Sequence, residues 1–170
     1  MTFAGPRRPG CVSMDLDVDA LARRVIDANH YMTLATREPE GGPRVSPVFY
    51  SAARYRDFYW VSSPEARHSR NVEAVPAVAI VIFDSTVRAG EGEAVYLDAI
   101  AERVPDERLE RVVGEAFDPR AGAGAMTPDE LRGDAPLRLY VARVTGCEVH
   151  VPGRHPSNPS GIDMRRAARP

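Results

Sequence analysis

Apolar residues first recur at helical spacing. Val18, Leu21, Ala22, Val25 and Ile26 form a stripe over Asp17 to Asn29, with Asp15, Asp17 and Asp19 at the end where a helix dipole is positive. The period then changes. Tyr31 to Thr36 reads as a strand, Glu38-Pro39-Glu40-Gly41-Gly42-Pro43 as a turn, and Arg44 to Tyr50 as the returning strand of a hairpin. Ser51 to Arg56 connects to an aromatic-rich third strand, Asp57 to Ser62. A helix is expected from Ser63 to Val75, stopped by Pro76. Ala77 to Phe83 is a nearly continuous β-branched run, the pattern of a strand buried on both faces. Gly90 to Gly92 turns the chain into a long strand, Ala94 to Val104. Pro105 and Asp106 open a helix through Phe117, with Leu109, Val112, Val113 and Phe117 inward. Asp118 to Asp134 reads as a loop with a turn of helix at Pro128 to Leu131, and Leu137 to Val151 is the last long strand.

This order is mainly β (α+β). Strands joined by short connections predict an antiparallel sheet that closes into a barrel with flanking helices. Strict β-α-β alternation and a GxGxxG motif are both missing, which argues against a doubly wound parallel sheet. One domain is expected over 15–152. Residues 1–14 read as a disordered lead-in, with Met14 an alternative start, and 153–170 as a loosely ordered Pro-, Ser- and Arg-rich tail.

Composition narrows the classes. A net charge of −2 provides no basic field for nucleic acid. All 22 basic residues are arginine, the better planar partner for phosphate. Cys11 and Cys147 lie far apart without a CxxC pair, as expected for free thiols in a cytoplasmic protein. No apolar run approaches the ~20 residues that span a bilayer, so no membrane partner is expected. Arg7 and Arg8 are not followed by the apolar stretch of a secretory signal.

The candidate chemistry sits where the third strand meets the second helix. Ser63 is a suitable N-cap and Pro64 a suitable first helical residue. The first turn of such a helix presents unpaired amides and a positive dipole end. Arg67 and Arg70 are three apart and share a face, which Asn71 joins. Hydroxyls, amides and guanidiniums on one spot make a phosphate site. The same residues also describe an ordinary solvated, capped helix, and the strand upstream weighs between the two.

That strand carries the second half of a motif. Tyr31-Met32-Thr33-Leu34-Ala35-Thr36, a Gly-rich turn, Arg44-Val45-Ser46-Pro47-Val48-Phe49-Tyr50, Phe58-Tyr59-Trp60-Val61-Ser62-Ser63 and Ala66-Arg67-His68-Ser69-Arg70-Asn71 together resemble the pyridoxamine 5′-phosphate oxidase-like flavin-binding split β-barrels, from about Asp17 to Val151. The resemblance implies a homodimer with FMN, or in some members a deazaflavin, at the interface. It implies that Val45, Ser46, Pro47 and Val48 run beside the isoalloxazine ring and offer backbone hydrogen bonds to its edge. Val61, Ser62 and Ser63 would line the ribityl chain and phosphate, and Arg67, His68, Ser69, Arg70 and Asn71 would hold the phosphate. Arg44 would meet the phosphate or a substrate anion, or simply be an exposed charge after a turn. The activity implied is flavin-dependent hydride transfer to or from a small molecule, with a non-catalytic flavin-binding module as the other outcome. The oxidase's C-terminal Arg-x-His pattern is absent, because the tail reads Val151-Pro152-Gly153-Arg154-His155-Pro156. Pyridoxamine phosphate oxidation itself is therefore not expected.

Other candidates have blander readings. Trp60, Tyr50 and Tyr55 fit a core as well as a flavin contact. His68 as imidazolium would add a donor to phosphate, or as neutral imidazole would hydrogen-bond a loop, with the phosphate role favoured, and His30 reads as a cap on the first helix. Glu93, beside Glu91 and Gly92, fits a solvated turn better than a general acid. Cys147 and His150 are three apart on a strand and so face opposite ways, which argues against a metal site shared with His155.

Overall fold

The computed structural model of the protein describes residues 16–117 and 124–170. The expected lead-in over 1–14 and part of the expected loop, 118–123, lie outside the described residues.

Helix α1 (Val18–Ala28) starts at Asp17, whose carboxylate accepts from the Asp19 and Ala20 amides at 3.1 and 2.9 Å. Its predicted stripe is inward: Leu21, Ala22, Val25 and Ile26 are buried. Asn29, not His30, closes the helix, donating from its side chain to the Val25 carbonyl at 2.8 Å. His30 instead stacks on Phe49.

The hairpin forms as expected, with β1 (Tyr31–Arg37) antiparallel to β2 (Pro43–Phe49) and Gly41 at φ 97° in the turn, a conformation that favours glycine. The expected connection from Ser51 contains a short strand of its own, β3 (Ser51–Ala53), paired with β4 (Asp57–Ser62). Then come β5 (Ala77–Phe83), β6 (Ala94–Arg103), α3 (Leu109–Ala116) and β7 (Arg138–Val151). A 3-10 turn at Pro128–Leu131 sits where the sequence placed one.

The order across the sheet is β2-β1-β5-β6-β7-β4-β3, and its pairings are antiparallel. β2 and β3 lie at opposite ends of that order, yet only Tyr50 separates them in the chain. The sheet must therefore curl until its ends meet, which makes a split barrel rather than a flat sheet. Among the described residues, β2 pairs on one edge only.

Two cores result. Met32, Leu34, Phe58, Trp60, Ile80, Leu97 and Tyr140 fill the barrel beneath α1. On the far face of β4 and β7, Tyr59, Leu139 and Val141 pack against Leu109, Val112 and Ala116 of α3. Each fully buried side chain of this size contributes about 1.5–3 kcal/mol.

Two expectations are corrected. β5 is not buried on both faces: Val78, Ile80 and Ile82 are buried, while Ala77, Ala79 and Phe83 are exposed. Within this single chain the double burial falls to β4 and β7 instead, because α3 covers their second face. The tail is not loosely ordered. Residues 164–167 form β8 (Met164–Ala167) on the end of β7, and the loop before it closes on buried Asn158, which donates to the carbonyls of Pro152 and Ile162 at 3.0 and 2.8 Å. A single buried amide that satisfies a whole loop is invisible to a composition-based reading.

Candidate functional site

β4 delivers the chain to α2, but not as the sequence predicts. Ser63 caps a turn: its hydroxyl accepts from the Glu65 amide at 3.1 Å, and its carbonyl from the Ala66 amide at 3.0 Å. Pro64 lies in that turn, and α2 runs only from Arg67 to Ala74, with Ala66 at the N-cap. Serine before Pro-Glu has closed its own local turn in place of capping the helix. As a result α2 starts with no side-chain cap and no acidic residue in its first turn. Its leading amides are left to an outside acceptor.

The two predicted guanidiniums do not converge. Arg67 pairs with Glu38 of the β1–β2 turn at 2.9 Å, and Arg70 pairs with Glu65 of the preceding turn. Both arginines are more than half exposed. Glu38 and Glu65 are participants that sequence reasoning missed, since turn glutamates carry no signal of what they face.

His68, Ser62 and Arg44 do come together. His68 Nε2 lies 2.8 Å from Ser62 Oγ. Burial lowers the His68 pKa, and the nearby Arg44 charge lowers it further. Both effects favour the neutral imidazole, one of the two forms that the sequence leaves open for His68. Arg44 is exposed and has no ion pair among the described residues. Ser69 and Asn71 turn inward and are not on the arginine face. Asn71 donates to Thr36 Oγ1 at 3.0 Å, and Thr36 in turn reaches the Arg44 carbonyl at 3.5 Å. The Ser69 hydroxyl faces the Tyr140 phenol without closing a hydrogen bond of normal geometry. Through Asn71 and Thr36, α2 is pinned beside the start of β2.

Along β2, Val45 and Pro47 are exposed, Ser46 is half-buried and Val48 is buried. As the sheet's end strand, β2 has no strand partner on its outer edge among the described residues. Proline at position 47 suits such a strand. Val61 and Ser62, at the end of β4, are half-buried.

The remaining candidates make contacts within the fold. Trp60 is buried and stacks on Tyr140 at 5.4 Å. Tyr50 is buried and donates to the Ile26 carbonyl at 2.6 Å, with burial raising its pKa. Tyr55 reaches Asp27 at 2.9 Å, and Glu93 is engaged by Arg24 at 2.8 Å. Burial raises the Cys147 thiol to about 11, leaving it unreactive. No cluster of three metal-ligating side chains occurs among the described residues, and no helix there is long and apolar enough to cross a membrane.

A cavity of about 340 Å³ opens between β4 and α3. Phe49, Trp60, Val61, Phe117 and Met126 are among its walls. It adjoins the end of β2 and shares Val61 with the predicted cofactor strand.

Comparison with known proteins places this geometry. The sequence profile of pyridoxamine 5′-phosphate oxidase matches residues 18–150. No curated protein matches. Similar solved structures include a heme binding protein from Mycobacterium smegmatis (TM-score 0.65, 22% identity, 95% of this chain and 60% of that one). They also include an F420 reductase (TM-score 0.54, 21% identity, 74% and 94%). A third is an FAD-binding protein from Mesorhizobium loti (TM-score 0.56, 21% identity, 75% and 90%). The chain thus spans less than two thirds of the first of these, and at such identities the likeness is one of fold. The profile match, covering most of the chain, means that this protein belongs to the pyridoxamine 5′-phosphate oxidase family.

Proposed function

We propose that the protein is an FMN-dependent oxidoreductase that holds its cofactor at the interface of a homodimer. One observation carries the reading: α2 begins uncapped and free of acidic residues directly beside Arg44, a guanidinium with no ion partner among the described residues. Amides, a dipole end and an unpaired cation beside them need an anion to complete them. A phosphate monoester is such an anion. The open edge of β2 at Val45–Val48 fits a ring edge that both donates and accepts hydrogen bonds.

The outer sheet face supports the dimer. Val45, Tyr31, Phe83 and Ile100 are large apolar residues left exposed, at 64, 62, 45 and 46%. An apolar surface of this kind on a sheet belongs against a partner, and a second copy supplies the same surface in return.

When bound, the flavin supplies hydride transfer at its central ring nitrogen. The chain's own residues anchor and orient. Arg44 and the α2 amides fix the phosphate, and the β2 backbone fixes the ring edge. Binding energy remote from the reacting atoms so positions the chemistry. His68 gains its proton more readily once a phosphate offsets Arg44. Arg67 and Arg70 reach the phosphate only by leaving, or sharing, Glu38 and Glu65.

The similarity to an F420 reductase favours a second reading, a deazaflavin in the same place. The colour of the purified protein separates the two. FMN gives a yellow protein absorbing in the blue, whereas a deazaflavin gives blue-green emission. A heme Soret band, or no chromophore even after incubation with FMN, contradicts the proposal.

A further inference from the structure

The roles above leave the cavity between β4 and α3 unassigned. Building on the flavin reading, we propose that this cavity is the subsite for the organic substrate and takes an uncharged, planar aromatic molecule.

Among the described residues its lining carries no charge. None of the eleven described residues around it is an acid, a histidine or a basic residue. An ionised group entering it loses water without gaining a partner, a cost of several kcal/mol. Burial first, and the Asp57 and Glu115 charges after it, raise the Tyr59 pKa, so it stays a neutral donor.

Its walls suit a flat ring. Phe49, Trp60 and Phe117 bring aromatic surface from three elements, and Met126 adds a deformable thioether. Ser51 and Tyr59 also line it, and among the described residues neither hydroxyl has a side-chain hydrogen-bond partner, so two polar handles face one substituent. The volume lies at the small end of the ~300–1,000 Å³ typical of ligand sites.

Its position suits a redox partner. Phe49 directly follows the strand assigned to the flavin ring, and Val61 belongs to both the cavity and the cofactor strand. A ring held here lies beside the cofactor without reaching the phosphate cradle. Substrates that carry a phosphate, the natural expectation for an oxidase of pyridoxamine phosphate, find no cation among the described residues of this lining.

The test compares 2-naphthol with 2-naphthoate, probes of similar shape that differ in charge, on the full-length protein as purified. Trp60 is the only tryptophan of the chain and lines the cavity, so its emission reports occupancy. We expect saturable quenching by 2-naphthol, with at least tenfold higher 2-naphthoate needed for the same effect. Met126→Arg, at a half-exposed position, should weaken 2-naphthol and strengthen 2-naphthoate while FMN affinity stays unchanged. Equal binding of the two probes to the unmodified protein overturns the assignment, whether or not the variant folds. A protein that binds FMN yet shows no naphthol preference refutes the cavity's role alone. One that prefers 2-naphthol but binds no FMN refutes the flavin reading and, with it, the substrate role.

Discussion

Helices α1 and α2 begin in opposite ways. α1 is capped by the Asp17 carboxylate, which occupies two amides, and Asp19 adds a second negative charge in the first turn. α2 is entered from Ala66, has no cap, and opens with Arg67 and no acidic residue in its first turn. Both helices pack on the same barrel, α1 through Leu21, Ala22, Val25 and Ile26 and α2 through Ser69, Asn71 and Val72. The difference is in what completes each terminus. α1 carries its own anion, and α2 is built to receive one.

Exchanging these solutions gives the largest expected effect. Ala66→Asp installs at α2 the cap that α1 has. It should lower FMN affinity by roughly 3 kcal/mol, since the carboxylate both occupies the amides and repels the phosphate. Thermal unfolding should show no loss of stability, because the helix gains a cap. An affinity unchanged by that carboxylate would separate α2 from the cofactor. Next comes Arg44→Ala, which should cost about 2 kcal/mol of FMN affinity in a fluorescence titration, the loss of one charge-assisted bond. Arg67→Ala should cost less, because Glu38 already engages that guanidinium.

At the other terminus, Asp17→Ala should cost about 1 kcal/mol of unfolding free energy in denaturant and leave FMN affinity alone. A shift in affinity there would show that the two termini are not independent.

The smallest effect is a titration. The folded state holds His68 below its ordinary pKa, through burial first and Arg44 second. The folded chain therefore binds fewer protons than the unfolded chain on acidification. This contribution to stability is full above about pH 6.5 and is lost as pH falls through the lowered value. Arg44→Ala should raise the His68 pKa, read from its ring resonances, and FMN binding should raise it in the unsubstituted protein. A pKa indifferent to both would remove His68 from the site.

The same contrast explains what the sequence made legible. α1 is legible from its charges and its stripe, which agree, up to its end, where Asn29 rather than the expected His30 closes it. The hairpin was readable because Gly41 and the strands on either side fit one turn. The start of α2 was misplaced because Ser63 satisfies a local turn and a helix cap equally well on paper, and only geometry decides between them. The inward turn of Ser69 and Asn71 was equally hidden, since a helix of eight residues gives too few apolar positions to fix its buried face. The second face of β5 looked like core because the sequence records that a residue is apolar, not what covers it. Glu38, Glu65 and the cavity under α3 depend on contacts between distant segments, for which no local pattern exists.

The central claim is that the start of α2 grips the phosphate, so the most direct measurement compares FMN with riboflavin, which lacks only that group. Titrated into the cofactor-free protein, FMN is predicted to bind at least a hundredfold more tightly, about 2.8 kcal/mol. Riboflavin binding as tightly as FMN would contradict the account.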